Sequence, residues 1–510
     1  MNKHEILREV TFGKRVAEDE VGELTSYFVE TDQWQRIYSG EVDIVYGTKG
    51  SGKSAIYTLL LSRTNALFDR SILITPAENP RGTPVFKDLA QDPPANEEEF
   101  RNLWKLYLLS LVAGTLRDYG MPMDLAGKVI GPLEDAGLLP HDWSLKGVLR
   151  AVGQFVRKWT NAEAIEGGLE FDPTTGMPKG LSGKISLREP TKEQRHKGII
   201  SADQLLDFAN KTLENSSFQV WLVLDRLDVA FAESPELEGR ALRALFRVYL
   251  DFAAFSRISL KIFIRSDIWK RITSSGFREA SHITRHVSLK WDKDALLNLV
   301  IRRALQNQSI KKHYNVDGEE ILRDKEAQYS LFYRIYPKQI RGGSNKPTTF
   351  DWMLSRTRDA LVGTAPRELI HLLSSTRETQ LRRIEVGNPE PSDEAIFDRN
   401  AIREALQEVS QVRIEQTLYA EYPELRKWLQ ALEGQRTQQS LETLSTIWKV
   451  DIDTAKQAAT DLVDVGFFEK RSIREKPAYW VPFLFREGLG MVQGSAIPDV
   501  EDGDQEELDL

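Results

Sequence analysis

The run Gly47-Thr48-Lys49-Gly50-Ser51-Gly52-Lys53-Ser54 satisfies the spacing GxxxxGK[ST] in full. Each residue type has a physical task at its place. Glycines let the backbone wrap with successive N–H groups pointing inward, which makes a concave anion site. The amino end of a following helix adds partial positive charge. Lys53 would reach the β and γ phosphates of a nucleotide, and the Ser54 hydroxyl would ligate Mg²⁺. Thr48, Lys49 and Ser51 complete the loop between the glycines.

A second group of residues suits the same chemistry. Asp225 ends the apolar run Phe218–Leu224, where a carboxylate would hold Mg²⁺ through water. Many ATPases place a glutamate directly after this aspartate to polarise the attacking water. Here that place is Arg226, and the next acid is Asp228. Asp228 is the candidate water-orienting base, provided the strand ends in a tight turn; the alternative is that it caps the next element. Arg265 follows the strand candidate Leu260–Ile264. It is a candidate γ-phosphate sensor, because ligands collect at the carboxyl end of open α/β sheets. Arg285 and Arg278 are candidates for an arginine finger that projects into a neighbouring subunit. The alternative for each is a surface ion pair.

These residues need a scaffold. Val42–Tyr46 reads as a strand running straight into the glycine loop, with a helix at about 54–63 and a second strand at 71–74. Phe218–Leu224, Leu260–Ile264 and His286–Trp291 are further strands, and a helix spans about 237–255. Mostly apolar strands alternating with helices predict an α/β core with a largely parallel sheet covered on both faces.

The predicted order is a helical lead-in over 1–40 and an ATPase core over 41–292, interrupted by an insertion at about 82–216. A helical lid over 293–415, a winged-helix domain over 416–495 and a disordered acidic tail over 496–510 follow. The insertion shows helices around Trp104 and Tyr107 and at 145–159, then a hairpin around Pro173, Gly176 and Gly180. Trp104 and Tyr107 lie on a leucine-rich helix and are read as core. In the winged-helix region, helices are expected near 423–432, 438–448 and 452–465, followed by two strands around a charged turn. That wing carries Lys470, Arg471, Arg474 and Lys476 near Tyr479 and Trp480, a patch able to meet DNA phosphates. The helix DIDTAKQAATDLVDV is acidic, which favours protein contacts at least as much.

Composition narrows the classes. With 510 residues, several domains are expected. No cysteine is present, which excludes disulfides, thiolate zinc sites and a cysteine nucleophile. No run has the length of a membrane span or signal peptide, so a soluble, cytoplasmic protein without membrane contact is expected. The net charge of −8 argues against a nonspecific nucleic-acid coat. Seven acids fall within residues 499–510, so the rest of the chain is close to neutral. His282 and His286 have the i, i+4 spacing of helical zinc ligands, but His286 begins a strand candidate, so no zinc site is expected.

The assembled motifs resemble the STAND/AAA+ side of the P-loop ATPases, of the ASCE type. The phosphate loop carries the likeness, together with Leu222-Val223-Leu224-Asp225-Arg226-Leu227-Asp228. The latter is similar to the hhhhDGhDE of NACHT-type ATPases, with Arg226 for the glycine and Val229 for the final glutamate. Gly363-Thr364-Ala365-Pro366-Arg367-Glu368 looks like the proline-bearing lid motif and the sensor-2 arginine, which implies that Arg367 reaches back to the nucleotide. The phrases GxKGSGKSA, LDRLD and Arg356-Thr357…Pro366-Arg367 are similar to a bacterial group that includes FunZ-type proteins. The plan of core, lid and winged helix is also that of origin-recognition-complex-like ATPases. The resemblance covers about 20–80, 215–310 and 345–490 but not the insertion.

It implies an ATP- and Mg²⁺-dependent molecular switch, forming homo-oligomers and acting with a protein effector in a defence or mobile-element setting. A DNA-remodelling ATPase, a scaffold that holds ATP with little hydrolysis, and a nucleotide kinase are the other readings. The lid and C-terminal domain argue against the kinase.

Overall fold

The structure is a computed structural model. It describes residues 2–14, 20–79, 84–87, 89, 92–141, 144–164, 184–231, 234–274, 276–361, 363–473 and 476–496. The insertion's expected hairpin around Pro173, Arg474 and the acidic tail lie outside these residues. The chain divides into two compact units, one of residues 32–47 and 53–289, the other of 1–31, 48–52 and 290–510.

The first unit is α/β. Five strands, β1 (Ile44–Gly47), β2 (Ile72–Pro76), β3 (Gln219–Leu224), β4 (Ile258–Arg265) and β5 (His286–Ser288), form one sheet in the order β2-β3-β4-β1-β5. Every neighbouring pair is parallel. One strand, β4, therefore separates β1 from β3. The Val-, Ile- and Leu-rich central strands β3 and β4 are buried on both faces, the pattern parallel sheets require.

Among the helices that pack on the sheet are α1 (Lys53–Ser62), α2 (Glu97–Asp118), α3 (Ala202–Asn215) and α4 (Pro235–Phe252). Ser234 caps the first turn of α4 and Pro235 takes its first helical place, where a missing N–H costs nothing. The insertion is not an appendage. Its long helix α2 is buried almost all round, and Phe86, Trp104 and Tyr107 share one core with β1, β3 and α4. Trp104 Nε1 donates to the Ala241 carbonyl at 2.8 Å, so the ring is a core strut.

The second unit has its own core. Ile6, Leu7, Val10 and Phe12 pack with α5 (Lys293–Leu305), α6 (Pro366–Glu385) and α7 (Arg399–Arg413). A π turn, Ile414–Tyr419, prolongs α7. Beyond it come β6 (Arg436–Ser440), α8 (Leu441–Trp448), α9 (Ile452–Asp464), β7 (Glu469–Ile473), β8 (Lys476–Trp480) and β9 (Val492–Ser495). The four strands form a sheet in the order β7-β8-β6-β9.

The hairpin β7–β8 falls where the sequence placed two strands. The expected helix at 438–448 instead begins at Leu441, because 436–440 are a strand paired with β8 and β9. Ser440 ends that strand and starts α8 through a capping box with Thr443.

Candidate functional site

In the α/β unit, the sheet's carboxyl edge collects most of the predicted residues. Gly47 is the last residue of β1, and Lys53 and Ser54 open α1. Lys53 Nζ donates to the Gly47 carbonyl at 2.9 Å, so the ammonium is folded over the loop's entry. In the sheet register Gly47 lies beside Arg265. Asp225 follows β3 directly, is 3% exposed, and accepts a hydrogen bond from the Ser54 side chain. Burial pushes its carboxyl up to about 6, opposed by Ser54 and the Lys53 ammonium. Its Oδ2 is buried with no hydrogen-bond partner.

A buried carboxylate oxygen left open beside a serine hydroxyl is a donor set that suits a hard divalent cation with its remaining positions on water or phosphate. The residues therefore fit Mg²⁺.

The turn after Asp225 explains how Asp228 comes to this edge. Arg226 adopts the left-handed conformation, with φ 58°, which reverses the chain into the short helix Leu227–Ala230. Asp228 is the second residue of that helix, not its cap. Its Oδ2 lies 3.5 Å from Arg265 Nη1, and its charge adds to that of Asp225. Arg265 also holds Asp267 at 2.8 Å.

One acid at this edge escaped the sequence reading. Glu78 lies two residues past β2 and is fully buried. Its Oε1 accepts from Asn79 N–H at 2.6 Å and Val85 N–H at 2.7 Å, while Oε2 is buried without a partner. Burial pushes its carboxyl up to about 7. The signal was present, since an acid just past an apolar strand is the same pattern as Asp225.

Arg285 is not brought to this edge. It precedes β5 and so lies at the sheet's amino end, with Nε 2.9 Å from Asp43 Oδ2. Asp43 there also holds Lys261 Nζ at 2.7 Å and Tyr249 Oη at 3.2 Å. Lys261 lies 4.4 Å from the Trp221 ring centre. Arg278 is exposed in the 3-10 turn Arg278–His282. His282 ends that turn and His286 begins β5.

In the second unit, Thr48–Gly52 forms the middle of the phosphate loop. Gly50 and Gly52 have φ of +84° and +99°, which only glycine adopts without strain. The Ser51 N–H donates to the Thr48 carbonyl at 3.2 Å. Trp291 Nε1 donates to the Ser51 carbonyl at 2.8 Å. Lys49 pairs with Glu421. Arg367, the second residue of α6, donates its N–H to the Gly50 carbonyl at 3.4 Å. A Cβ on Gly50 would meet Arg367 Cβ at 3.0 Å, so only glycine permits this approach. The residue predicted from the lid motif thus touches the loop.

On the hairpin β7–β8, Lys470 and Lys476 are exposed. Arg471 is engaged by Glu469 at 3.1 Å and stacks 4.1 Å over Trp480. Among the described residues no helix is long and apolar enough to cross a membrane.

No family model matches the chain, and no curated protein matches it. Among solved structures, it is similar to the ORC2 protein of Aeropyrum pernix. The ADPNP-ADP complexes align with 12% identity and a TM-score of 0.40, covering 95% of this chain and 96% of that one. The ADP form aligns with 11% identity and a TM-score of 0.32, covering 96% and 92%. Likeness of this degree carries no inference about this chain.

Proposed function

We propose that the protein is a Mg²⁺-dependent, ATP-binding and ATP-hydrolysing switch. The observation that carries this reading is the convergence of Lys53, Ser54, Asp225, Asp228 and Arg265 on one edge of a parallel sheet. Mg²⁺, when bound, supplies positive charge that neutralises phosphate oxygens. Ser54 and Asp225 would hold it. The loop amides and Lys53 bind and orient the phosphates. Asp228 accepts the proton of the attacking water, and Arg265 meets charge developing on the terminal phosphate. Arg367 contributes from the lid helix, next to Gly50. The lid at 293–415 and a winged helix at 416–495 are the parts that would move.

Assembly into homo-oligomers would rest on Arg278 as the arginine offered to a neighbour, since Arg285 is held by Asp43. Membership of the FunZ-type group, the defence setting and the effector stand on the sequence resemblance. A second reading, an ATP-holding scaffold, is favoured by Arg226 occupying the place next to Asp225.

Nucleotide binding and phosphate release separate the readings. Lys53→Ala is expected to weaken ATP binding about 100-fold, or about 2.7 kcal/mol. Asp228→Asn is expected to keep binding and lower turnover at least about tenfold. Undiminished turnover in both variants overturns the proposal, and tight binding without turnover in the parent selects the scaffold.

A further inference from the structure

The second unit contains a cavity of about 580 Å³ that no feature discussed above uses. Its volume lies in the range of small-molecule sites. Its wall is strongly basic, carrying Arg341, Lys346, Arg356, Arg403 and Arg486 against two acids, Glu404 and Glu487. Glu404 is already paired with Arg383, so the excess of positive charge is larger than the count suggests.

Arg341 and Arg403 line the cavity without an acidic partner among the described residues. Two others are fixed in place. Arg486 is 5% exposed, with Nε donating to the Val481 carbonyl at 2.8 Å and a further bond to Gln493. The Arg356 and Arg486 guanidiniums lie 4.0 and 3.9 Å from the Phe483 ring centre. Arg356 also stacks on Trp352 at 5.0 Å. The loop that carries Lys346 is pinned by Gln339, which donates to the carbonyls of Gly343 at 3.0 Å and Lys346 at 2.8 Å.

The arrangement is preorganised, and its chemistry is of two kinds. Exposed arginines and a lysine in the lining suit phosphate, which arginine grips in a planar fork. The ladder in which Arg356 and Arg486 cover Phe483 presents N–H edges that suit the ring acceptors of a heteroaromatic base. Asn400 and Gln407, on the same wall, offer amide donors and acceptors to a ring edge. A bare phosphate would leave most of the volume empty, and an apolar ligand would leave Arg341 and Arg403 without an acidic partner.

We propose that this cavity is a nucleotide site separate from the phosphate loop, taking a 5′-phosphorylated mono- or dinucleotide. Its phosphate would sit among Arg341, Lys346 and Arg403, and its base along the edge of the ladder that Phe483 forms with the Arg356 and Arg486 guanidiniums. This goes beyond the ATPase reading and does not depend on it.

The test uses the full chain with Lys53→Ala, which silences the phosphate loop. Calorimetric titration with 5′-phosphorylated diadenylate, pApA, is expected to show one saturable site per chain. Unphosphorylated ApA and inorganic pyrophosphate are each expected to bind at least about tenfold more weakly. Adding Arg341→Glu and Arg403→Glu is expected to weaken pApA at least about tenfold with an unchanged melting temperature, because both side chains are exposed. In an otherwise wild-type chain the same pair should leave ATP binding unchanged. The proposal is overturned if pApA binds no better than pyrophosphate or if charge reversal has no effect. It is equally overturned if a 5′-phosphorylated 20-mer binds while pApA does not. Loss of ATP binding in the Lys53→Ala chain bears only on the phosphate loop.

Discussion

The two ends of the five-stranded sheet carry the same kinds of residue and use them in opposite ways. At the amino end, Asp43 is fully engaged by Lys261, Arg285 and Tyr249. At the carboxyl end, Asp225 and Glu78 are as deeply buried, yet each keeps one oxygen without a partner. A buried charge that is satisfied by its neighbours is a strut. A buried charge left partly unsatisfied stores an affinity for something the chain does not supply. Residue type alone does not separate the two; the hydrogen-bond inventory does.

Matched isosteric changes break the comparison most sharply. Asp43→Asn removes the negative partner of Lys261, an ammonium 1% exposed. It is expected to lower unfolding free energy by about 3–5 kcal/mol in denaturant titrations, with nucleotide affinity retained in what folds. Asp225→Asn should do the reverse. The nucleotide-free protein gains about 1–3 kcal/mol while Mg²⁺-dependent nucleotide binding is lost. Equal destabilisation by both changes would erase the distinction.

The next effect is on pH. Glu78 has its carboxyl raised from 4.5 to about 7 by burial. The unfolded chain then gives up this proton before the folded one. Its contribution is complete below about pH 4.5 and is lost as the pH rises through about 7. Stability should therefore fall by about 2–3 kcal/mol from this group between pH 5 and 8, and Glu78→Gln should flatten that fall. A slope identical in parent and variant would place Glu78 among the satisfied groups.

The smallest effect belongs to Arg285, whose side chain is half exposed and whose partner Asp43 retains Lys261 and Tyr249. Arg285→Ala should cost less than about 1 kcal/mol and leave turnover unchanged. A collapse of turnover would mean that the amino end serves a neighbouring copy after all.

The phosphate loop was legible because its chemistry is local, with eight consecutive residues carrying strand end, glycine turn and helix start. The central strands were legible because burial on both faces forces continuous apolar runs. The strand at 436–440 was not, since Arg-Thr-Gln-Gln-Ser has no apolar run and is held by partners far along the chain. Arg285 was read as lying just before its strand, and strand direction then sets it at the sheet's amino end. In a parallel sheet a residue before its strand lies at the opposite end from a loop after its strand. Asp228 depended on a turn that no spacing rule encodes, because a non-glycine residue adopts it.

That turn has a consequence for how the sequence can change. Arg226 occupies a backbone geometry that suits glycine, at the place where the resembling motif has glycine. Arg226→Gly should relieve strain worth up to about 1 kcal/mol. The guanidinium's hydrogen bond to the Asn79 carbonyl, at 3.5 Å, is too long to offset this. A laboratory lineage selected only for heat resistance should acquire the glycine early. A lineage selected for turnover should refuse it if the guanidinium has a task at the phosphates, so the order in which substitutions accumulate would itself report what Arg226 is for.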